Sequence, residues 1–295
     1  MLLKKRKLPQ GIAIAAQSPE FWRRLVPDLT ISESGPRRML PRRPDTGADR
    51  MRLVNDGFLH LAQPGLGDAL PDIAAGMRRI VAAGLPSAFV GVYDEVWDML
   101  AGLDGVLDGL FDGKAALVPN FWASHGAPGT GAQRRRGGGG VFADGTPKNL
   151  TIWLPVTDAT PANGCVYVVP AGQDRNYGST ARADASLPGI RALTAQAGDV
   201  LIWTGEIYHW QGRVDRHADA SPLLALTWEF QSRDTAPLEQ TLIDSFPHVP
   251  FETRLAILAG QMPRHRAEFA GQPVWRAVQQ TLANRYPMPA MRQSA

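Results

Sequence analysis

The chain has 295 residues, of which 44% are hydrophobic and 20% are charged, and it contains one cysteine. The apolar share is that of a globular protein and excludes wholesale disorder, and a single cysteine excludes a disulfide framework and a thiolate zinc site. The net charge of +3 is too small for a nucleic-acid-binding profile, and no apolar run approaches the length of a membrane span. We therefore expect a soluble cytoplasmic protein that binds neither nucleic acid nor membrane.

The N-terminal part of the chain, residues 19–105, is predicted to be helical. Its apolar residues recur at helical spacing, and Ser87 has the side chain of an N-cap. The predicted helices are 19–29, 68–83 and 87–100.

Short β-strands are predicted from about residue 115 onward. The predicted strands are Ala115–Ala123, Asn149–Val156, Cys165–Val169, Val200–Trp203 and Leu223–Phe230. Turn residues and long irregular connections separate them, which favours a β-sandwich or a jelly-roll barrel over βαβ units.

The helical pattern returns in the last part of the chain, over residues 237–246, 251–262 and 273–286. We interpret the whole chain, residues 1–295, as one domain of the α+β class, mainly β with flanking helices. A β core of about 115–231 then receives helices from both ends of the sequence.

Two segments resemble a known family. Residues 149–172 read NLTIWLPVTDATPANGCVYVVPAG, and residues 197–210 read AGDVLIWTGEIYHW. Together with Trp-Glu-Phe-Gln at 228–231, they resemble the phytanoyl-CoA dioxygenase-like branch of the iron(II)/2-oxoglutarate oxygenases. The resemblance covers about residues 115–231. It implies a double-stranded β-helix, which is a cupin-like jelly roll, with helices at both ends.

The resemblance also implies a metal triad, made of a His-x-Asp pair and a distal histidine, and an Arg-x-Ser clamp for 2-oxoglutarate. Only the distal histidine is present, as His209. Gln133 and Arg135 stand at the positions of the pair, and Leu223 and Ala225 stand at those of the clamp. An arginine about 4 Å from a cation is repelled by about 4 kcal/mol per unit charge. We therefore expect neither a metal nor a cofactor.

Two other sets of residues are candidates for a metal site. A literal His-x-Asp occurs at 217–219, but it follows the distal histidine, in a loop that the fold would not direct into the barrel. A mixed site from His209, His125 and Gln133 stays open as an alternative, although glutamine is a poor ligand for a transition metal.

The expected pocket at the barrel mouth contains two candidate acid–base residues, His209 and Glu206. A histidine and a carboxylate in a partly desolvated pocket are the residue types of a general base and a general acid. As alternatives, His209 is a hydrogen-bonded core residue and Glu206 is an exposed rim residue. The candidate substrate-binding residues are Asn120, Trp122, His125, Gln133, Arg135, Trp203 and Tyr208.

A basic run, Arg134–Arg136, precedes the glycine run Gly137–Gly140 near the expected pocket. Four consecutive glycines have great conformational freedom. The segment is predicted either to bind an anionic ligand or to be a surface loop without a binding role.

Three functions remain open from the sequence. The first is a protein that binds a small organic molecule, has lost iron chemistry, and catalyses a cofactor-independent acid–base step in specialised metabolism. The second is a non-catalytic partner of an active paralogous oxygenase, or a homo-oligomer. The third is a true dioxygenase (a hydroxylase) with unusual ligands, and only this function requires Fe(II) and 2-oxoglutarate.

Overall fold

The structure is a computed structural model, and it describes residues 11–32, 46–62, 64–126, 139–178, 189–215, 221–237, 242–243, 248–265 and 273–285. Residues 11–15 form one helical turn. The α-helices that follow are α1 (Pro19–Leu25), α2 (Gly47–Asp56), α3 (Leu70–Ala82), α4 (Asp94–Ala101), α5 (Asp104–Phe111), α6 (Phe251–Gln261) and α7 (Pro273–Arg285). Shorter 3₁₀ helices occupy Ser87–Val92 and Ala171–Gln173. No helix in these stretches is long and apolar enough to cross a membrane.

The strands are β1 (Phe58–Leu61), β2 (Ala115–His125), β3 (Asn149–Pro155), β4 (Val166–Val169), β5 (Arg191–Leu193), β6 (Val200–Thr204), β7 (Tyr208–Gln211) and β8 (Leu224–Ser232). They form a five-stranded sheet in the order β1-β6-β3-β8-β2 and a three-stranded sheet in the order β5-β4-β7. All paired strands are antiparallel. Two antiparallel sheets with helices from both ends confirm the predicted α+β, jelly-roll class, although the described strands do not close into a barrel.

The helix predicted over residues 87–100 is interrupted. Ser87–Val92 is a 3₁₀ helix, and α4 begins only at Asp94, because Tyr93 between them has an extended backbone with φ −92° and ψ 149°. The Tyr93 ring is fully buried, and its hydroxyl donates to the carbonyl oxygen of Trp22 at 2.7 Å. This tertiary contact fixes the break in a segment whose apolar spacing favours one continuous helix.

The helix predicted over 237–246 is wrong where the structure describes it. Ile243 forms an antiparallel β-bridge with Leu117 of β2 and donates its backbone N–H to the Leu117 carbonyl oxygen at 2.8 Å. Strands β1, β5 and β7 were not predicted. Each has only three or four residues, which is too short for alternation to identify.

Strand β8 contributes side chains to two apolar clusters, one on each face of the five-stranded sheet. One face packs against the helices through Leu224, Leu226, Trp228 and Phe230. The alternate residues point toward the three-stranded sheet, where Ala225 joins a smaller apolar cluster with Trp153, Trp203 and Val168. The space between the two sheets is therefore lined by every second residue of β3, β6 and β8.

A buried ion pair joins the two helical regions. Nη1 of Arg254, in α6, donates to Oδ1 of Asp94 at 2.7 Å, and the two side chains are 4% and 8% exposed. Arg254 also donates to the carbonyl oxygens of Val249 and Val92, whereas Asp94 accepts the backbone N–H and the hydroxyl of Ser32. Burial lowers the pKa of Arg254, and Asp94 opposes that shift. The two charges are therefore stable in the core only as a complete network.

Replacing Arg254 with methionine removes one of these charges and leaves Asp94 buried without its partner. We expect the free energy of unfolding, measured by urea denaturation, to fall by about 3–5 kcal/mol. Arg79→Met is the matched control, because Arg79 pairs with Asp28 at 2.5 Å while both side chains stay about half exposed. Its loss should cost less than about 1 kcal/mol. Equal losses in the two variants would contradict the role assigned to the buried pair.

Candidate functional site

The candidate site lies on the face of the five-stranded sheet that is turned toward the three-stranded sheet. Trp203 of β6 pairs with Phe58 of β1 and with Thr151 of β3, and Thr151 pairs in turn with Glu229 of β8. Because side chains alternate along each strand, these four share one face. Trp203 is buried, whereas the other three are half-buried. Solvent therefore reaches part of this cross-strand row.

His209 faces this row from β7. It pairs with Val168 of β4, whose side chain is fully buried between the sheets, so the imidazole points in the same direction. Its half-buried ring lies 5.0 Å from the Trp203 ring, centroid to centroid. Nδ1 is 3.1 Å from the carbonyl oxygen of Ile207. A proton on Nδ1 satisfies that contact, so Nε2 is the nitrogen that can accept a proton.

The indole N–H of Trp203 has no hydrogen-bond partner among the described residues. The side chain is 3% exposed, so bulk solvent does not reach this donor. A buried tryptophan usually finds a partner for its N–H, and leaving such a donor unpaired costs about 1–3 kcal/mol. The indole N–H of Trp203 is therefore a donor without an acceptor among the described residues, on a ring that lies next to His209.

Glu206 lies at the rim, in the turn between β6 and β7, and is half-buried. Its carboxylate lies against the backbone of Gly140, where an added Cβ would stand 2.2 Å from Oε2. The neighbouring Asn149 accepts the backbone N–H of Gly205 at 3.2 Å, and an added Cβ at Gly139 would stand 2.8 Å from its Oδ1. The last two glycines of the predicted glycine run are therefore packed against the rim of the site, and no larger residue fits there without displacing it.

The two positions that the resemblance assigns to the 2-oxoglutarate clamp hold buried apolar side chains. Leu223 and Ala225 are both 0% exposed and belong to the apolar cluster between the sheets. Neither side chain can bind a carboxylate. A charged group placed against them would be buried without a partner, at a cost of several kcal/mol. The residues present therefore do not fit 2-oxoglutarate held in the family's manner.

The implied metal triad is only partly within the described part of the chain. His209 is described, whereas Gln133, Arg135, the rest of the basic run 134–136 and the His-x-Asp at 217–219 lie outside the described residues. Within the described residues, no group of three or more His, Cys, Asp or Glu side chains is placed to hold a metal ion. Of the implied triad, the described residues therefore include one imidazole, that of His209.

Three residues of β2 were predicted to approach the same mouth, and the structure gives them different surroundings. Asn120 lies in the irregular stretch where β2 shifts its register against β8. Trp122 stacks on His265, with ring centroids 3.7 Å apart. His125 pairs with Leu224, a residue of the helix-facing side, and burial lowers the pKa of His125. None of the three belongs to the cross-strand row of Trp203.

Tyr208 was predicted to bind substrate together with His209, but the two side chains lie on opposite faces of the three-stranded sheet. Tyr208 and Trp210 flank His209 in β7, with their ring centroids 5.9 Å apart, and Trp210 stacks on Tyr167 of β4 at 5.6 Å. The three aromatic rings form one group on the outer face. Tyr208 therefore points away from the space that His209 faces.

Thr151 and Glu229 were not among the predicted site residues. Both could have been found by alternation, because Glu229 is the polar residue between Trp228 and Phe230, and Thr151 is the polar residue before Ile152. In each case the apolar neighbours mark the helix-facing side, so the polar residue belongs to the opposite face. The structure thus places Trp203, Thr151 and Glu229 on one face of the five-stranded sheet, with His209 beside Trp203 and Glu206 at the rim.

Comparison with known proteins identifies relatives of this fold. No curated protein matches the sequence at a significant level. ThoJ, a non-heme monooxygenase in its apo form, has a TM-score of 0.51 at 15% identity and covers 80% of this chain and 99% of its own. SnoK, a non-heme alpha ketoglutarate dependent carbocyclase from nogalamycin biosynthesis, has a TM-score of 0.50 at 15% identity, covering 68% and 88%. HygX from Streptomyces hygroscopicus, solved with nickel and 2-oxoglutarate bound, has a TM-score of 0.48 at 12% identity, covering 67% and 90%.

At these identities the structural likeness concerns the fold alone. The sequence evidence comes from a family profile, Phytanoyl-CoA dioxygenase (PhyH), which matches residues 122–213. That segment contains β3, β4, β6 and β7, and with them Thr151, Trp203 and His209. The predicted resemblance is therefore confirmed over residues 122–213, which are similar to the phytanoyl-CoA dioxygenase family.

Proposed function

We propose that this protein is a repurposed member of the oxygenase fold that binds a small organic molecule between its two sheets and does not use 2-oxoglutarate. The observation that carries the proposal is the replacement of both clamp positions by Leu223 and Ala225, which are fully buried in an apolar cluster. Neither side chain can bind a carboxylate. They occupy the positions at which the resemblance implies a cation and a hydroxyl for binding a dicarboxylate.

The residues that remain at the mouth are suited to proton transfer. The contact of Nδ1 with the Ile207 carbonyl oxygen orients the ring of His209, and we assign the role of the base to Nε2. Glu206, at the rim, supplies a carboxylate that can exchange a proton with the ligand or with solvent. We propose that the pair supports a non-oxidative acid–base step, in which His209 takes a proton from the bound molecule and Glu206 contributes at the rim.

The first test asks whether 2-oxoglutarate binds or is consumed. We expect no heat of binding by calorimetry and no succinate above background when purified protein is supplied with Fe(II), 2-oxoglutarate and oxygen. The physical reason is that Leu223 and Ala225 leave the distal carboxylate without a partner. Stoichiometric binding of 2-oxoglutarate, or sustained succinate formation, would overturn the proposal and favour a dioxygenase with unusual ligands.

The second test asks whether His209 belongs to a small-molecule site. We expect a library of neutral and anionic metabolites to contain compounds that raise the melting temperature of the protein, and the shift to be lost in His209→Ala. His248→Ala is the control, because His248 lies in the segment before α6. Glu206→Gln should retain binding and lower any turnover of a hit. If no compound stabilises the protein, or if the two histidine variants respond equally, the site is not where we place it.

The third test concerns the apolar character of the clamp position. Leu223→Arg restores the residue type that the family uses there, but it buries a charge in an apolar cluster. We expect the free energy of unfolding to fall by at least about 3 kcal/mol, whereas Leu223→Met should cost less than about 1.5 kcal/mol. A Leu223→Arg variant that keeps wild-type stability would show that position 223 is accessible to solvent or to a ligand.

A further inference from the structure

A short strap, residues 174–178, lies against the turn that joins β6 to β7. Asp174 organises it into one hydrogen-bonded turn, because its side chain accepts the backbone N–H of Asn176 at 2.9 Å and its carbonyl oxygen accepts that of Tyr177 at 3.0 Å. The Tyr177 hydroxyl lies 2.9 Å from Oγ1 of Thr204, the last residue of β6. This hydroxyl pair, which we call the latch, attaches a preformed turn to the end of the sheet.

The latch is buried, whereas the rest of the strap is held weakly. Thr204 is 0% exposed and Tyr177 is half-buried, so the two hydroxyls are shielded from bulk solvent. Residues 174–178 belong to neither apolar cluster, and Arg175 in their middle is exposed. Segments with few buried apolar contacts open at a lower free-energy cost than the core. We therefore expect the strap to open while the sheet beneath it stays folded.

The strap is bounded by fixed points. Before it, Ala171 packs on Gly57 beside Ile207, since an added Cβ at Gly57 would stand 3.4 Å from Cβ of Ala171 and 3.2 Å from Cδ1 of Ile207. Where the described chain resumes, an added Cβ at Gly189 would overlap Oε1 of Gln173. The chain thus returns to the place where the strap begins, and opening of the strap does not require β4 or β5 to move.

The last residue of the strap lies beside the carboxylate of Glu206. An added Cβ at Gly178 would stand 3.8 Å from Oε2 of Glu206, the same oxygen that lies against the backbone of Gly140. Two backbone segments therefore approach one carboxylate oxygen, and one of them belongs to the strap. Movement of the strap away from the turn would leave this oxygen open to water on that side.

We propose that residues 174–178 form a strap that opens and closes over Glu206, and that the latch of Tyr177 and Thr204 sets the fraction of molecules in the closed state. The closed strap shields the carboxylate on one side, and the open strap exposes it. The latch thereby controls how readily Glu206 exchanges protons with water. This inference rests on the proposed function, because it assigns regulation to the same rim carboxylate, but the opening needs no ligand and is measured without one.

Trypsin measures the opening, because Arg175 lies in the strap and a protease needs an extended backbone. The cleavage rate then follows the population of the open strap. Arg254, which is buried in α6, reports unfolding of the whole chain in the same digest. At low conversion, we expect the wild-type rate after Arg175 to change little up to about 1 M urea, whereas the rate after Arg254 rises steeply.

Variants of the latch test its role directly. Tyr177→Phe and Thr204→Val each remove one hydroxyl, and each should raise the cleavage rate after Arg175 by about two- to tenfold, which corresponds to the loss of one hydrogen bond. The double variant should be no faster than the faster single variant, because the same contact is lost only once. Tyr93→Phe is the matched control, since it removes a tyrosine hydroxyl bond of 2.7 Å in the helical region. It should change the Arg175 rate by less than about twofold.

The exposure of Glu206 has a readout of its own. A water-soluble carbodiimide couples accessible carboxylates to glycinamide, and peptide mass spectrometry measures the rate at each site. Tyr177→Phe should raise the coupling rate of Glu206 by at least about twofold. Glu252, an exposed carboxylate of α6, is the internal control and should keep its wild-type rate.

Three outcomes would overturn the inference. Cleavage after Arg175 that follows cleavage after Arg254 in urea would show that the strap opens only when the whole chain unfolds. Unchanged cleavage in both single variants, or effects that multiply in the double variant, would show that the hydroxyl pair is not a latch. Faster cleavage without faster coupling of Glu206 would show that the strap does not cover this carboxylate. Each result leaves the proposed function standing if library compounds still bind in a manner that depends on His209, whereas the proposed function fails if none does, however the strap behaves.

Discussion

The five-stranded sheet is buried on both of its faces, and this constraint decides what each strand residue can do. In β8, Trp228 and Phe230 must be apolar because they pack against the helices, while Glu229 between them belongs to the space between the sheets. In β3, Ile152 packs against the helices. Thr151, its neighbour in the strand, faces the space between the sheets. The polar residues Thr151 and Glu229 thus lie on the inner face, where both are half-buried.

That inner face has two zones. The deeper zone, with Leu223 and Ala225, is packed as a small hydrophobic core, and the outer zone holds Trp203, Thr151 and Glu229 opposite His209. The resemblance assigns the recognition of a carboxylate to positions 223 and 225 in the deeper zone. Apolar side chains occupy both positions here, and their burial adds to the stability of the fold.

The sequence predicted the parts of this arrangement that depend on local pattern. Strands β3, β6 and β8 were found because each is long enough to show a buried or alternating run, and the inward position of His209 followed from the family resemblance. The outward position of Tyr208 could also have been predicted, because Tyr208 is the neighbour of His209 in β7 and side chains alternate along a strand. The partners of Trp122 and Tyr93 were not predictable, because His265 and Trp22 come from distant segments. Local pattern does not encode which remote segment supplies a contact.

The network of Arg254, Asp94 and Ser32 also has a consequence for how the protein is made. Arg254 follows Asp94 by 160 positions in the chain. A ribosome adding about 5–20 residues per second needs roughly ten to thirty seconds to synthesise that interval. During this time Asp94 cannot form its ion pair with Arg254, because Arg254 has not yet been synthesised. The N-terminal helices therefore cannot complete their packing as they emerge, and the final docking step must wait until α6 has left the ribosome.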